Sequence, residues 1–115
     1  MTSIRMVRDG DAAWQKSFVD WNAQSGPTKE GLLYKRILEM EPGMPNMQRV
    51  RFDPGYVEPP HSHPDDEVIT IVKGSIHFGR DELAAGDTLY VPKDTRYSLR
   101  AGDAGAEFLR VGMPL

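Results

Sequence analysis

Two histidines and a glutamate lie close together near the middle of this 115-residue chain. His61 and His63 are two residues apart, so on an extended strand their side chains project from the same face. Glu67 follows four residues later, after a short segment of proline and aspartate that is typical of a turn. Two imidazoles and one carboxylate form the ligand set of many non-haem iron sites. The spacing therefore predicts a metal site with coordination positions left open.

Each of these residues also has a simpler interpretation. A His-x-His pair taken alone is more often two surface side chains than a metal site. Glu67 could be an exposed partner of Arg49 or Arg51. It heads, however, the otherwise apolar segment 68–72, where an inward carboxylate is costly unless it is paired or bound to a metal. This position favours the metal interpretation.

The segment around the two histidines resembles the first conserved motif of the cupin family. Gly55, His61, His63, Glu67 and Gly74 stand at the spacing of that motif without a departure. The resemblance implies that the two histidines and the glutamate are metal ligands. It covers roughly residues 46 to 112, which is most of the chain.

The second cupin motif is matched only in part. Gly86 and Pro92 are present, but Asp94 stands where the family has a glycine. Aspartate tolerates the left-handed backbone conformation better than most residues, so we expect the turn to be kept. Tyr97 stands where the family has its last metal-binding histidine. The chain thus resembles a small single-domain cupin with three of the four usual ligands.

Tyr97 and His77 are the two further candidates for the site. Strand alternation places Tyr97 on one face with Thr95 and Leu99, and the resemblance implies that this face is the inner one, with Tyr97 either a phenolate ligand of the metal or a neighbour of the ligands. A free phenol has a pKa near 10, so ligation requires the metal to withdraw its proton. His77 lies outside both motifs, and a lone strand histidine is usually partly exposed. Tyr97 and His77 are the candidate acid or base, whereas Asp65 is expected to be a solvated turn residue.

The chain from Leu32 onward has the pattern of an all-β protein. Short apolar segments are separated by glycine, proline and aspartate, which is typical of an antiparallel sandwich or barrel. The cupin resemblance selects the antiparallel double-stranded β-helix, or jelly-roll barrel, with the metal between its sheets. The predicted strands are Leu32–Met40, Met47–Phe52, Glu67–Val72, Ser75–Phe78, Thr88–Val91, Thr95–Arg100 and Ala106–Val111.

Residues 1–30 are predicted to form an N-terminal arm, and residues 31–115 the barrel domain. Trp14, Phe18 and Trp21 have helical spacing, which predicts a short helix that packs on the barrel or on a partner subunit. Sheet edges need cover, and cupins commonly pair through their sheets. We therefore expect a homodimer.

Composition excludes several classes of function. The net charge is −3 and no basic cluster is present, so nucleic acid and anionic membranes are not expected partners. The absence of cysteine excludes disulfides, thiolate zinc sites and cysteine nucleophiles. The first residues lack the apolar stretch of a signal peptide, and no long apolar segment follows. We expect a soluble, cytoplasmic protein.

The resemblance and the ligand set together predict a small metalloenzyme. Its substrate would be a small oxygenated organic molecule chelated to a divalent metal. Fe²⁺ is favoured and would give dioxygenase-like oxidoreductase chemistry, whereas Mn²⁺, Zn²⁺ or Ni²⁺ would suit an isomerase or a lyase. One alternative is a metal-dependent ligand-binding or sensor cupin without catalysis. Another is a degenerate cupin that has lost strong metal binding together with its fourth histidine.

Overall fold

The computed structural model describes residues 4–16, 31–39 and 41–113. Nearly all of the regular structure in these ranges is β-strand, apart from one 3₁₀ turn at Asp9–Asp11. None of the described helical segments is long and apolar enough to span a membrane. The strands are β1 (Gln15–Lys16), β2 (Leu32–Leu38), β3 (Asn46–Phe52), β4 (Val57–His61), β5 (Asp66–Phe78), β6 (Asp81–Ala84), β7 (Thr88–Val91) and β8 (Tyr97–Met113).

All described strand pairs are antiparallel, as the sequence predicts. The strand order is β1-β2-β3-β8-β5-β6, with β4 paired to β8 and β7 paired to β5. The 17-residue strand β8 is central, because it pairs with β3, β4 and β5. β4, β5 and the loop between them carry the predicted ligands His61, His63 and Glu67, and both strands pair with β8.

The observed strands differ from the predicted ones in two respects. β1, β4 and β6 were not predicted, and Pro59 and Pro60 explain why β4 has a weak strand pattern. Conversely, two pairs of predicted strands are single long strands, β5 and β8. The pairing of β5 with β8 is irregular near Gly74, where a bulge bends the strand without ending it.

Apolar side chains alternate along the strands and meet inside the fold. Val50 and Phe52 on β3 face Phe108 on β8, and the rings of Phe52 and Phe108 pack edge to face at 5.1 Å. Ile69 and Ile71, on the same side of β5 as Glu67, are almost completely buried. The predicted inner face of β5 is thus confirmed.

The described part of the N-terminal arm lies on the outer face of the sheet. Trp14 is not in a helix; its ring is 4.9 Å from Lys35 Nζ and 4.3 Å from the guanidinium carbon of Arg51. The helix predicted from Trp14, Phe18 and Trp21 is therefore absent at Trp14, and its other two residues lie outside the described ranges. Cation–π contacts hold Trp14 on the barrel.

Candidate metal centre

The loop that carries the histidines is held by the turn after β7. The backbone N–H of Asp94 donates to the carbonyl oxygen of His63 at 2.7 Å. The backbone N–H of Lys93 donates to Asp66 Oδ1 at 2.9 Å. Asp94 has a φ of 58°, so the expectation that aspartate keeps this left-handed turn is confirmed. The two cupin motifs thus meet in space, and the second fixes the position of the first.

His61, His63 and Tyr97 form a cluster of rings. The ring centroids of His61 and His63 are 4.9 Å apart, and those of His61 and Tyr97 are 4.6 Å apart. His61 Nδ1 lies 2.7 Å from the carbonyl oxygen of Pro59, which can only accept, so Nδ1 carries the proton. Nε2 of the neutral ring is then the nitrogen with the lone pair that a metal requires.

His63 is neutral in this environment. Burial, assisted by Arg110 and His61, lowers the pKa of His63 to about 3. Metals bind the neutral imidazole, so no proton has to be displaced from His63 at physiological pH. Its Nε2 lies 3.6 Å from Glu67 Oε2.

Glu67 is 1% exposed and is held by two donors. The hydroxyl of Tyr97 donates to Oε1 at 2.8 Å, and Arg110 Nε donates to Oε2. Burial raises the pKa of Glu67, whereas Arg110 and Tyr97 oppose this by stabilising the carboxylate. Glu67 therefore lies close to His63, but both of its oxygens already have partners.

Arg110 was not predicted as part of the site. Its guanidinium also donates to Asn46 Oδ1 at 3.1 Å and to Asp65 Oδ1 at 3.3 Å. The prediction that Asp65 is a solvated turn residue is wrong, because its side chain is 13% exposed and pairs with Arg110. Arg110 is 43 residues from Glu67, so local spacing could not reveal the pair. The sequence does contain one indication of its position. Arg110 is two residues from the inward Phe108, and alternate residues of a strand face the same side.

The structure places Tyr97 and His77 in different surroundings. Burial and the neighbouring Glu67 raise the pKa of Tyr97 further above its usual value, which favours a protonated phenol that holds Glu67. His77 lies at the far end of β5, where its Nε2 is 3.3 Å from Glu82 on β6. The structure brings Tyr97 together with the predicted ligands and places His77 elsewhere.

Glu58 is a second carboxylate that the sequence analysis missed. Simple alternation would put Glu58 and His61 on opposite faces of β4, but a register shift between them turns both inward. Tyr56 donates its hydroxyl to Glu58 Oε2 at 3.0 Å, and Glu58 Oε1 is 3.9 Å from His61 Nδ1. A bulge between prolines is hard to read from sequence, so its inward position could not be predicted.

These residues form part of the wall of a cavity of about 350 Å³. We call the polar part of this wall the polar cluster: Glu58, His61, His63, Tyr97 and Arg110. Tyr34, Arg36 and Gln48 also line the cavity, whereas Tyr90 is 58% exposed elsewhere on the surface. Most of the remaining wall is apolar.

The donor set fits a divalent metal in chemistry, and the pair His63 and Glu67 fits in spacing. Two ligands of a tetrahedral ion are about 3.4 Å apart for bonds of about 2.1 Å, close to the 3.6 Å between His63 and Glu67. Among the described residues, no three His, Cys, Asp or Glu side chains converge on one ion position. The contacts of Glu67 with Tyr97 and Arg110 explain this, so ligation by Glu67 has to compete with Arg110.

The charges around the cavity also fit a cation. Glu58, Asp65 and Glu67 are three largely buried carboxyl groups, and Arg110 is the buried cation that the structure describes beside them. When all three are ionised, negative charge is in excess in a place with little access to water. Such an excess is unfavourable unless protons or a bound cation balance it.

A family comparison identifies the barrel. The model for the cupin domain matches residues 48–112, more than half of the chain. The chain belongs to the cupin family. The matched segment runs from β3 to β8 and contains the whole polar cluster. No curated protein matches the chain.

Solved structures confirm the predicted jelly-roll barrel. KdgF from Halomonas sp. has a TM-score of 0.73 at 19% identity, over 96% of this chain and 95% of its own. An RmlC-like cupin from Ralstonia eutropha JMP134 has a TM-score of 0.78 at 14% identity, over 97% of this chain and 69% of its own. Oxalate decarboxylase from Bacillus subtilis has a TM-score of 0.67 at 25% identity over 76% of this chain. This chain covers 26% of the length of that decarboxylase.

Proposed function

We propose that this cupin binds a divalent metal ion through His61, His63 and Glu67, and a small oxygenated organic molecule in the adjoining cavity. The observation that carries the proposal is the grouping of two imidazoles at the wall of the cavity with the buried carboxylate of Glu67 beside them. Fe²⁺ is the favoured ion, and Mn²⁺, Zn²⁺ and Ni²⁺ suit the same nitrogen and oxygen ligands.

The chain's own residues supply the rest of the chemistry. A bound ion would supply Lewis acidity and, in the case of iron, redox chemistry. Arg110 and Tyr97 orient Glu67, and the Pro59 carbonyl orients His61. Glu58 and Tyr97 line the cavity and are the groups placed to accept or donate a proton there. We propose an oxygenase, isomerase or lyase; metal-dependent ligand binding without turnover is the alternative.

Elemental analysis of protein purified without a histidine tag tests the metal site. We expect near-stoichiometric divalent metal in the wild type and a roughly tenfold lower metal content in His63→Ala. His77→Ala is the matched control, because His77 pairs with Glu82 on another part of the barrel, and it should load like the wild type. Equal loading of all three proteins, or no loading of the wild type by any of the four metals, would contradict the proposal.

A further inference from the structure

The cavity has an extensive apolar wall that metal binding does not use. Six side chains from β2, β3, β5 and β8 form it: Leu32, Val50, Phe52, Ile69, Leu99 and Phe108. Each is at most 6% exposed, so this wall is covered by the protein on every other side. The volume of about 350 Å³ corresponds to about a dozen water-sized groups. Binding is favourable when the apolar atoms of a ligand cover an apolar wall of this extent.

The charges of the cavity disfavour a ligand with several negative groups. Glu58 and Asp65 line the cavity, and the donors of Arg110 are directed to Glu67, Asn46 and Asp65. Arg36 is the other arginine among the described residues that line the cavity. It lies 3.7 Å from Glu39, and its side chain is 37% exposed. A second carboxylate of a ligand would therefore lie against the apolar wall, where its desolvation is costly.

We infer that the ligand of this cavity is a compact molecule with one chelating, oxygen-bearing end and an apolar body, and with no more than one negative charge. The inference of a chelating end depends on the proposed function, whereas the inference of an apolar body depends only on the apolar wall. A small dianion such as oxalate would leave the apolar wall uncovered.

A series of 2-oxo acids with one head group and different tails tests this inference. Pyruvate, 2-oxobutanoate, 2-oxopentanoate and 4-methyl-2-oxopentanoate are titrated into the metal-loaded protein by calorimetry. Each added methylene is expected to lower Kd about fourfold. The matched dianion 2-oxoglutarate, with the chain length of 2-oxopentanoate, is expected to bind at least about tenfold more weakly than that acid.

Val50→Thr places a hydroxyl in the apolar wall with little change of shape. It is expected to reduce the gain per methylene, with the smallest effect on pyruvate, whose apolar body is a single methyl group, and to leave the metal content unchanged. Val72→Thr is the matched control, because Val72 is 40% exposed on the outer surface, and it should behave as the wild type.

The outcomes separate the two proposals. Three results in a protein that does load metal overturn the inference and leave the metal site standing. They are no gain in affinity along the series, tighter binding of 2-oxoglutarate than of 2-oxopentanoate, and no binding of any acid. If the wild type takes up no metal, the proposed function fails together with the chelating end, and the same series on the metal-free protein still decides whether the cavity takes an apolar body. A chain-length gain that Val50→Thr reduces supports it there, and its absence overturns it.

Discussion

Glu67 forms an ion pair with Arg110, and this ion pair limits how strongly Glu67 can bind a metal. Arg110 donates to Glu67, Asn46 and Asp65, so one guanidinium connects three oxygen acceptors. A metal that binds Glu67 has to replace part of this interaction. The site thus contains a carboxylate that suits a metal, Glu67, and an arginine, Arg110, that competes with the metal for it.

Removing Arg110 should destabilise the metal-free protein strongly. Arg110→Met leaves Glu67 and Asp65 buried without their cation, which is expected to lower the free energy of unfolding by about 3 kcal/mol. Urea unfolding in the presence of a chelator measures the loss. Added divalent metal should restore more stability to Arg110→Met than to the wild type, because it supplies the missing positive charge.

Arg100→Met is the matched control for this prediction. Arg100 lies on the same strand and its side chain is exposed, so its replacement should change stability by less than about 0.5 kcal/mol. Arg110→Met with the stability of the wild type would mean that the carboxyl groups do not depend on the guanidinium for their burial.

At the scale of the elements, β5 bends at Gly74 and continues as one strand, because glycine accepts the backbone conformation of the bend. Gly74 has a φ of 74°, and a Cβ at this position would overlap the carbonyl oxygen of Gly105. The bend lies between the half of β5 that pairs with β7 and the half that pairs with β6. The glycine that ends the first cupin motif therefore has a steric role.

Gly74→Ala is expected to lower the free energy of unfolding by about 3 kcal/mol or more, combining left-handed strain with overpacking. Gly79→Ala is the matched control, because Gly79 has a φ of 60° but open space around its Cβ. Its cost should be the strain alone, about 1–2 kcal/mol. Urea unfolding followed by circular dichroism compares the two. Equal losses would show that the contact with Gly105 carries no energy.

Sequence reasoning worked where a pattern is local. The alternation on β5 correctly predicted that Glu67 and Ile69 face inward, and the turn chemistry correctly assigned a left-handed backbone to Asp94. It failed where distant parts of the chain meet or where a bulge changes the alternation. Arg110 acts on Glu67 from a strand 43 residues away, and Glu58 turns inward only through the irregular part of β4. Single-sequence periodicity contains neither relationship.

At the scale of the whole molecule, the arm is attached to the barrel by charges as well as by Trp14. Lys35 Nζ and Arg49 Nε are each 3.2 Å from the carboxylate of Asp9, and Trp14 lies between Lys35 and Arg51. The contacts fix the described arm from Asp9 onward. The described residues before Asp9, 4–8, have no regular secondary structure and lie on the surface, where Ile4 is 97% and Met6 80% exposed.

We propose that these exposed side chains belong to the contact between two copies of the chain. Exposed apolar side chains in the described part of the arm, together with the short edge strand β1, provide a surface that a second protomer can cover. Light scattering after size exclusion should then give twice the chain mass of 12.9 kDa. Ile4→Ser combined with Met6→Ser should shift the protein toward the monomer, since both changes remove apolar area from the contact. Tyr90→Ser, which alters an exposed side chain on β7, is the control and should stay dimeric. A wild type of monomeric mass at high concentration would exclude the dimer, and a double variant that stays dimeric would place the contact on another face of the barrel.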